Sequence, residues 1–385
     1  MIISPNPWGQ MLISKHNYAI ELGKRGFKVF FVNAPNENPN TKYYSINKIN
    51  DYENLWLIDI NLIRNRLINF LRFRLRITQI LDYYLLFLIR RICKHHNLYF
   101  DQVWNFDPNL HGFFYNYPAF KKLFFIADQI SSSTHLRAAK KADGVISVAS
   151  EILNHFRKVN KNCLLINHGI NSNYQTFAEN NLGALQNSKD GNYNLKRIQV
   201  GYIGNLMIKS LYSQGLLQII SNHPEIDFHF WGADSKINNN VFGGSTNDID
   251  ETIEYIKKTF ANTFFYGVQK PEFIIQAISN IDAFIYINSS ELDINGGANS
   301  HKILEYLSTG KVIISTYLSF YSNKNLFPMT EKYKEEEFSK LFSDCIEKIQ
   351  QLNSIEKQKQ RIEFALSNSY QSNINAIFNF INYKP

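Results

Sequence analysis

Short β-rich apolar runs alternate with segments of helical length twice along this chain, once on each side of a polar stretch. Such alternation restricts a chain to parallel sheets flanked by helices. The first round opens with a helix from Ser14, whose hydroxyl can cap it. Ala19 and Leu22 lie one turn apart in it, and Gly26 follows the basic Lys24 and Arg25. The run at 27–32 (FKVFFV) reads as the next strand, and the runs at 102–106, 122–127, 144–149 and 163–167 as buried strands. Residues 172–196 turn to Asn, Ser, Gly and charge and read as a linker. A second round then gives strands at 198–203, 227–231, 263–266, 283–287 and 312–315. The insert at 235–250 reads as a polar surface loop, and the end of the chain as amphipathic helices.

A length of 385 residues exceeds one ordinary core and suits two domains. The net charge of +8 asks for an anionic partner: a nucleoside diphosphate, an acidic membrane surface or nucleic acid. Cys93, Cys163 and Cys345 are odd in number and widely spaced, which argues against a disulfide framework or zinc site and for a reducing cytoplasm. The opening MIISPNPWGQ lacks the pattern of a secretory signal, and the apolar run at 83–89 is far short of the roughly 20 residues that span a bilayer.

The segment 287–316 carries the sharpest chemistry. A strand ends near Asn288, the loop ELDINGGAN contains Gly296 and Gly297, and Asn299 or Ser300 can cap a helix that Gly310 terminates. Ligands of open parallel sheets bind at the carboxyl ends of strands, and a helix N-terminus there favours phosphate. Lys302 in the first turn and Glu305 one turn later share a face. By spacing alone they are either a surface ion pair or a cation for a diphosphate with a carboxylate for ribose hydroxyls.

The run SHKILEYLSTGKVIIST decides between these readings, because it resembles the donor-site helix of GT-B glycosyltransferases, in bacterial enzymes related to glycosyltransferase family 4. VGYIGN at 200–205 resembles the loop opening their second domain, DGVISVAS at 143–150 a first-domain strand, and NHGIN at 167–171 the interdomain entry. ALSNSY at 365–370 resembles the start of the last helix. The resemblance implies an α/β fold of GT-B architecture: two Rossmann-like domains facing a cleft, with the C-terminal helix crossing back to the first domain. The expected boundaries are 1–171, a linker at 172–196, a nucleotide-sugar domain at 197–365, and the returning helix at 366–385. It implies that Lys302 contacts the diphosphate or sugar and Glu305 the ribose, with Gly204, Asn205, Asn299, Ser300 and His301 in the same motifs. Two departures stand out. The family's second carboxylate, eight residues before Glu305, is Gly297 here, and its Arg-x4-Lys becomes Asn205 and Lys209, one residue short. Retention or inversion therefore stays open.

Gly232 and Gly267 end strands of the second round, so the loops after them can border the base, or simply turn. Gly9, after Pro7 and Trp8, either admits close backbone approach to a ligand or is a plain turn glycine. An inverting reaction needs a base for the acceptor hydroxyl, and Asp128, Asp107 and His111 each stand near a strand end. Either Asp equally suits turn duty. His16, in the first helix, reads as a surface residue. Residues 62–91 carry seven Arg against the single acid Asp82, interleaved with aromatic and aliphatic residues. That composition suits an anionic membrane surface or, more plainly, helices with solvated Arg. No nucleic-acid module is present. The function expected is sugar transfer from a nucleoside-diphosphate sugar to a hydroxyl acceptor, a growing cell-surface glycan on a lipid carrier, by a cytoplasmic protein at the inner face of the cell membrane. Neither metal nor cofactor is expected. The alternatives are a nucleotide-sugar epimerase of the same fold and a non-catalytic binder of glycan or nucleotide sugar.

Overall fold

The computed structural model describes residues 1–9, 12–35, 43–61, 79–107, 109–127, 132–186, 197–235, 246–289 and 299–383. They form two compact units. The first comprises Met1–Asn167 with Tyr370–Pro385, and the second His168–Ser369.

The first unit holds β1 (Ile2–Ile3), α1 (Ser14–Lys24), β2 (Val29–Val32), β3 (Tyr44–Lys48), β4 (Leu55–Ile60), α2 (Gln79–His95), β5 (Phe100–Asn105), β6 (Ala119–Ile126), α3 (Ser133–Lys141), β7 (Gly144–Ser147), α4 (Ser150–Phe156) and β8 (Cys163–Leu165). Its sheet runs β3-β4-β2-β1-β5-β6-β7-β8, parallel throughout except for the β3–β4 pair. The opening of the chain reads as loop in the sequence, yet β1 is the central strand, with Ile2 pairing both Phe31 and Trp104. Two residues are too few to show a period.

Ser14 does not cap α1. The cap position falls on Ile13, whose N–H donates to His16 Nδ1 at 3.1 Å. His16 is no surface residue either: it is fully buried, stacked on Phe31 at 5.0 Å, with Nε2 donating to Pro7 O at 3.2 Å. Burial pushes its pKa down to about 4, which suits the neutral ring these two partners require. Gly26, at φ 88°, ends the helix as its sequence position predicts.

The second unit holds α5 (Ser172–Gln186), β9 (Gln199–Ile203), α6 (Ser213–Asn222), β10 (Asp227–Trp231), α7 (Asn247–Thr259), β11 (Thr263–Phe265), α8 (Pro271–Ile278), β12 (Ala283–Tyr286), α9 (His301–Leu307), β13 (Val312–Ser315), α10 (Phe338–Glu347), α11 (Ile349–Leu352) and α12 (Ile355–Ser367). Its all-parallel sheet runs β11-β10-β9-β12-β13, so the strand order reverses between β9 and β12. Side chains alternate across it. Ala283, Ile285, Val312 and Ile314 pack under α6, α7 and α10, while Phe284, Tyr286 and Ile313 pack under α9.

The start of the expected linker is a helix. Asn171 Oδ1 accepts from Tyr174 N at 3.1 Å to start α5, and Tyr174, Phe177 and Ala178 form a narrow apolar stripe packed into the core. Polar composition hid that stripe; residues 187–196 lie outside the described residues. α7 likewise begins inside the expected loop at 235–250. The closing helix α13 (Tyr370–Phe380) belongs to the first unit, where Asn373 Nδ2 donates to Tyr18 Oη at 3.2 Å and Asn167 O at 2.9 Å.

Candidate functional site

The carboxyl ends of β9, β10 and β11 each run into a glycine with positive φ: Gly204 at 155°, Gly232 at 135° and Gly267 at 65°. Gly204 N donates to Trp231 O at 2.7 Å, and Gly232 N to Gly267 O at 2.8 Å, so the loops leave the sheet in a close stack. A Cβ on Gly232 would collide with Gly204 O, and one on Gly204 with Lys302 Nζ. Backbone packing therefore requires glycine at Gly232, whereas at Gly204 the positive φ disfavours a side chain and an added Cβ would displace the Lys302 ammonium.

α9 is fixed against the end of β9 by Tyr306. Ile203 N donates to its hydroxyl at 2.8 Å, and the hydroxyl donates to Ile203 O at 3.1 Å. Beyond the helix, Arg361 is 2% exposed and holds Gly310 O at 2.9 Å, Leu326 O at 2.9 Å and Leu352 O at 2.7 Å. With its core face anchored, α9 presents Lys302 beside Gly204, with Nζ 5.5 Å from the Tyr202 ring centre. Glu305, one turn on, accepts a hydrogen bond from the hydroxyl of Tyr174. Burial pushes the Glu305 carboxyl up to about 7, opposed by Lys302 and by that hydrogen bond.

Ser300 holds the N-cap position of α9 with extended backbone, and its side chain makes no capping bond. Asn299 is buried, and its backbone bonds to the ring of His168, which burial holds neutral with a pKa near 4. The ring of His301 lies 6.0 Å from that of His168. After β9, Asn205 Oδ1 accepts from Met207 N at 2.8 Å to shape a turn, and Lys209 stands exposed two residues later. Ser289 N donates to Ser210 O at 2.7 Å, tying that loop to the end of β12. Gly204, Asn205, Gly232, Gly267, Asn299, Ser300, His301, Lys302 and Glu305 thus share one edge of the second sheet, with Lys209 in the adjoining loop. Gly297 lies outside the described residues.

Sequence reasoning missed Tyr174, His168 and Tyr306 as partners of this edge. His168 stands inside the NHGIN motif and Tyr306 inside the EYL motif, so their positions were marked but not their bonds. Tyr174 fell in the expected linker.

The first unit treats its candidates differently. Asp107 is 1% exposed, and its Oδ1 accepts from Asn109 N at 3.0 Å and Leu110 N at 3.2 Å, which is turn duty. His111 is equally buried, with Nδ1 2.6 Å from Tyr117 Oη, and burial lowers its pKa to about 4. Neither side chain meets solvent, where an acceptor hydroxyl would arrive. Asp128 lies outside the described residues. Gly9 is in an open loop, with no atom within 4 Å of an added Cβ, so no close packing demands glycine there.

No family model matches the sequence, and no curated protein matches it. Solved structures match its fold. A UDP-forming α,α-trehalose-phosphate synthase from Burkholderia xenovorans superposes with a TM-score of 0.67 at 9% identity, over 99% of this chain and 98% of that one. Sucrose-phosphate synthase from Thermosynechococcus elongatus gives 0.64 at 12% identity, over 98% and 97%. Anabaena Alr3699/HepE, solved in complex with UDP, gives 0.54 at 12% identity, over 77% and 82%. The chain has the GT-B fold, two Rossmann-like domains in one polypeptide, as its motifs imply.

Proposed function

We propose that this protein transfers a sugar from a nucleoside-diphosphate sugar to a hydroxyl acceptor. One observation carries the reading: α9 sets Lys302 beside Gly204 and Glu305 one turn further, at the strand-order reversal of a parallel sheet. Lys302 would meet the negative charge that builds on the departing diphosphate. Glu305, as a carboxylate, would accept hydrogen bonds from the ribose hydroxyls. No step in this reading requires a metal. The fold is shared with a synthase named as UDP-forming and with a protein solved with UDP, which supports a nucleotide donor.

The base is assigned to Asp128, after FFIA at the end of β6, because Asp107 and His111 are sealed in the first unit. The acceptor fits a growing cell-surface glycan on a lipid carrier, and the protein a cytoplasmic place at the inner face of the membrane. No described helix is long and apolar enough to cross a membrane.

The test is thermal stabilisation across UDP-, GDP- and dTDP-sugars, where ligand at 100 times its Kd adds about 2.7 kcal/mol. The stabilising donor is then incubated with and without glycan acceptors. Release of nucleoside diphosphate that depends on acceptor is expected. Conversion of the sugar without acceptor would mark an epimerase, and binding without turnover a non-catalytic protein. Absence of stabilisation by every nucleotide sugar would overturn the proposal.

A further inference from the structure

α2 buries one face and leaves the other with an unusual composition. Leu81, Leu85, Leu88, Ile89, Ile92 and Cys93 are all within the core. Outward stand Tyr83 (59% exposed) and Phe87 (57%), then Arg90, Arg91 and Lys94, all exposed. At 3.6 residues per turn these five positions fall within an arc of about 100° and extend for about 16 Å. The helix's acid, Asp82, points away from this face and is 3% exposed. Tyr83 packs at 4.4 Å on Phe113, which also carries the Arg137 guanidinium at 4.7 Å. Arg90 donates twice to Asn116 O, at 3.2 and 3.0 Å, so the stripe is held on a rigid frame.

We infer that the outer face of α2 docks the protein on an anionic lipid surface, through Tyr83 and Phe87 in the headgroup layer and Arg91 and Lys94 on lipid phosphates. Charge complementarity chooses the occupant. The stripe offers cations and no anion, beside aromatic rings whose amphipathic bodies suit the interface between water and acyl chains. A helix so anchored by its opposite face lies along a surface instead of entering it. The inference concerns binding alone and holds whether or not the second unit transfers sugar.

Flotation with vesicles containing about 30% phosphatidylserine in phosphatidylcholine, against phosphatidylcholine alone, tests it. The wild type should bind the anionic vesicles at about 0.05 M salt and leave them at about 0.5 M. Arg91→Gln with Lys94→Gln should weaken binding roughly 25-fold, at about fivefold per charge. Tyr83→Ser with Phe87→Ser should weaken it at least tenfold, by the apolar area withdrawn. Both variants should keep the wild-type far-UV circular dichroism; the Arg91 and Lys94 variant should keep the melting midpoint as well, while Tyr83→Ser gives up its contact with Phe113 and should lower the midpoint slightly. Arg90 is left in place because it holds Asn116 O. Equal binding to neutral vesicles, no binding at low salt, or wild-type binding by either folded variant overturns the assignment. So does tighter binding to a short single-stranded oligonucleotide than to the anionic vesicles at the same salt, which would make the stripe a nucleic-acid surface.

Discussion

Glu305 carries its charge at a cost that its surroundings set. Burial lifts its pKa from 4.5 to about 7, although Lys302 and the Tyr174 hydroxyl both pull it down. Because the folded value lies above the unfolded one, the protonated group favours the fold. That contribution is complete below the unfolded value and is lost as pH rises through about 7. The whole rise corresponds to about 3 kcal/mol at roughly 1.4 kcal/mol per unit. Glu305 is partly open to water, which brings the expected effect down to roughly 1–2 kcal/mol. Glu305→Gln should therefore match the wild type at about pH 4 and exceed its stability by roughly 1–2 kcal/mol at about pH 8. Urea unfolding at the two pH values reads this directly. The same variant should lose roughly 1.5–3 kcal/mol of nucleoside-diphosphate binding, the range for hydrogen bonds to a charged group. A gain in stability with a loss of affinity marks a residue kept for its ligand. An offset between variant and wild type that is identical at both pH values would refute the argument.

Tyr174→Phe removes the hydroxyl that steadies the Glu305 carboxylate, so the pH midpoint of nucleotide affinity should move upward, with affinity recovering at high pH. A uniform loss across the pH range, measured by calorimetry, would make Tyr174 a packing residue only. Gly204→Ala should cost about 1–3 kcal/mol for a side chain at positive φ and weaken nucleotide binding by displacing Lys302. Wild-type affinity in that variant would show that Lys302 reaches the ligand from elsewhere.

Much of this architecture could be read before any coordinates. The second-unit strands announce themselves as short β-rich apolar runs, and β12 and β13 are buried on both faces; 227–231 and 312–315 match β10 and β13 residue for residue. That Lys302 and Glu305 share one helix face was legible from their spacing; that the face serves a nucleotide was implied only by the resemblance of the run around them. What stayed hidden depended on partners far along the chain. β1 is a two-residue strand recognisable only by the neighbours it pairs. His16 looked polar and therefore exposed, but the carbonyl of Pro7 and the amide of Ile13 satisfy its ring inside the core. α5 was masked by Asn and Gln on its outer face, so Tyr174 and its bond to Glu305 could not be foreseen.

The central claim is that a nucleoside diphosphate sits against Lys302 at the carboxyl edge of β9. Titration calorimetry of a nucleoside diphosphate and of its parent nucleoside, on wild type and Lys302→Ala, tests it most directly. The diphosphate should bind wild type more tightly, and Lys302→Ala should cost it roughly 1.5–3 kcal/mol while leaving the nucleoside nearly unchanged, since only the charged group meets the ammonium. Equal affinities of wild type and Lys302→Ala for the diphosphate would contradict the claim.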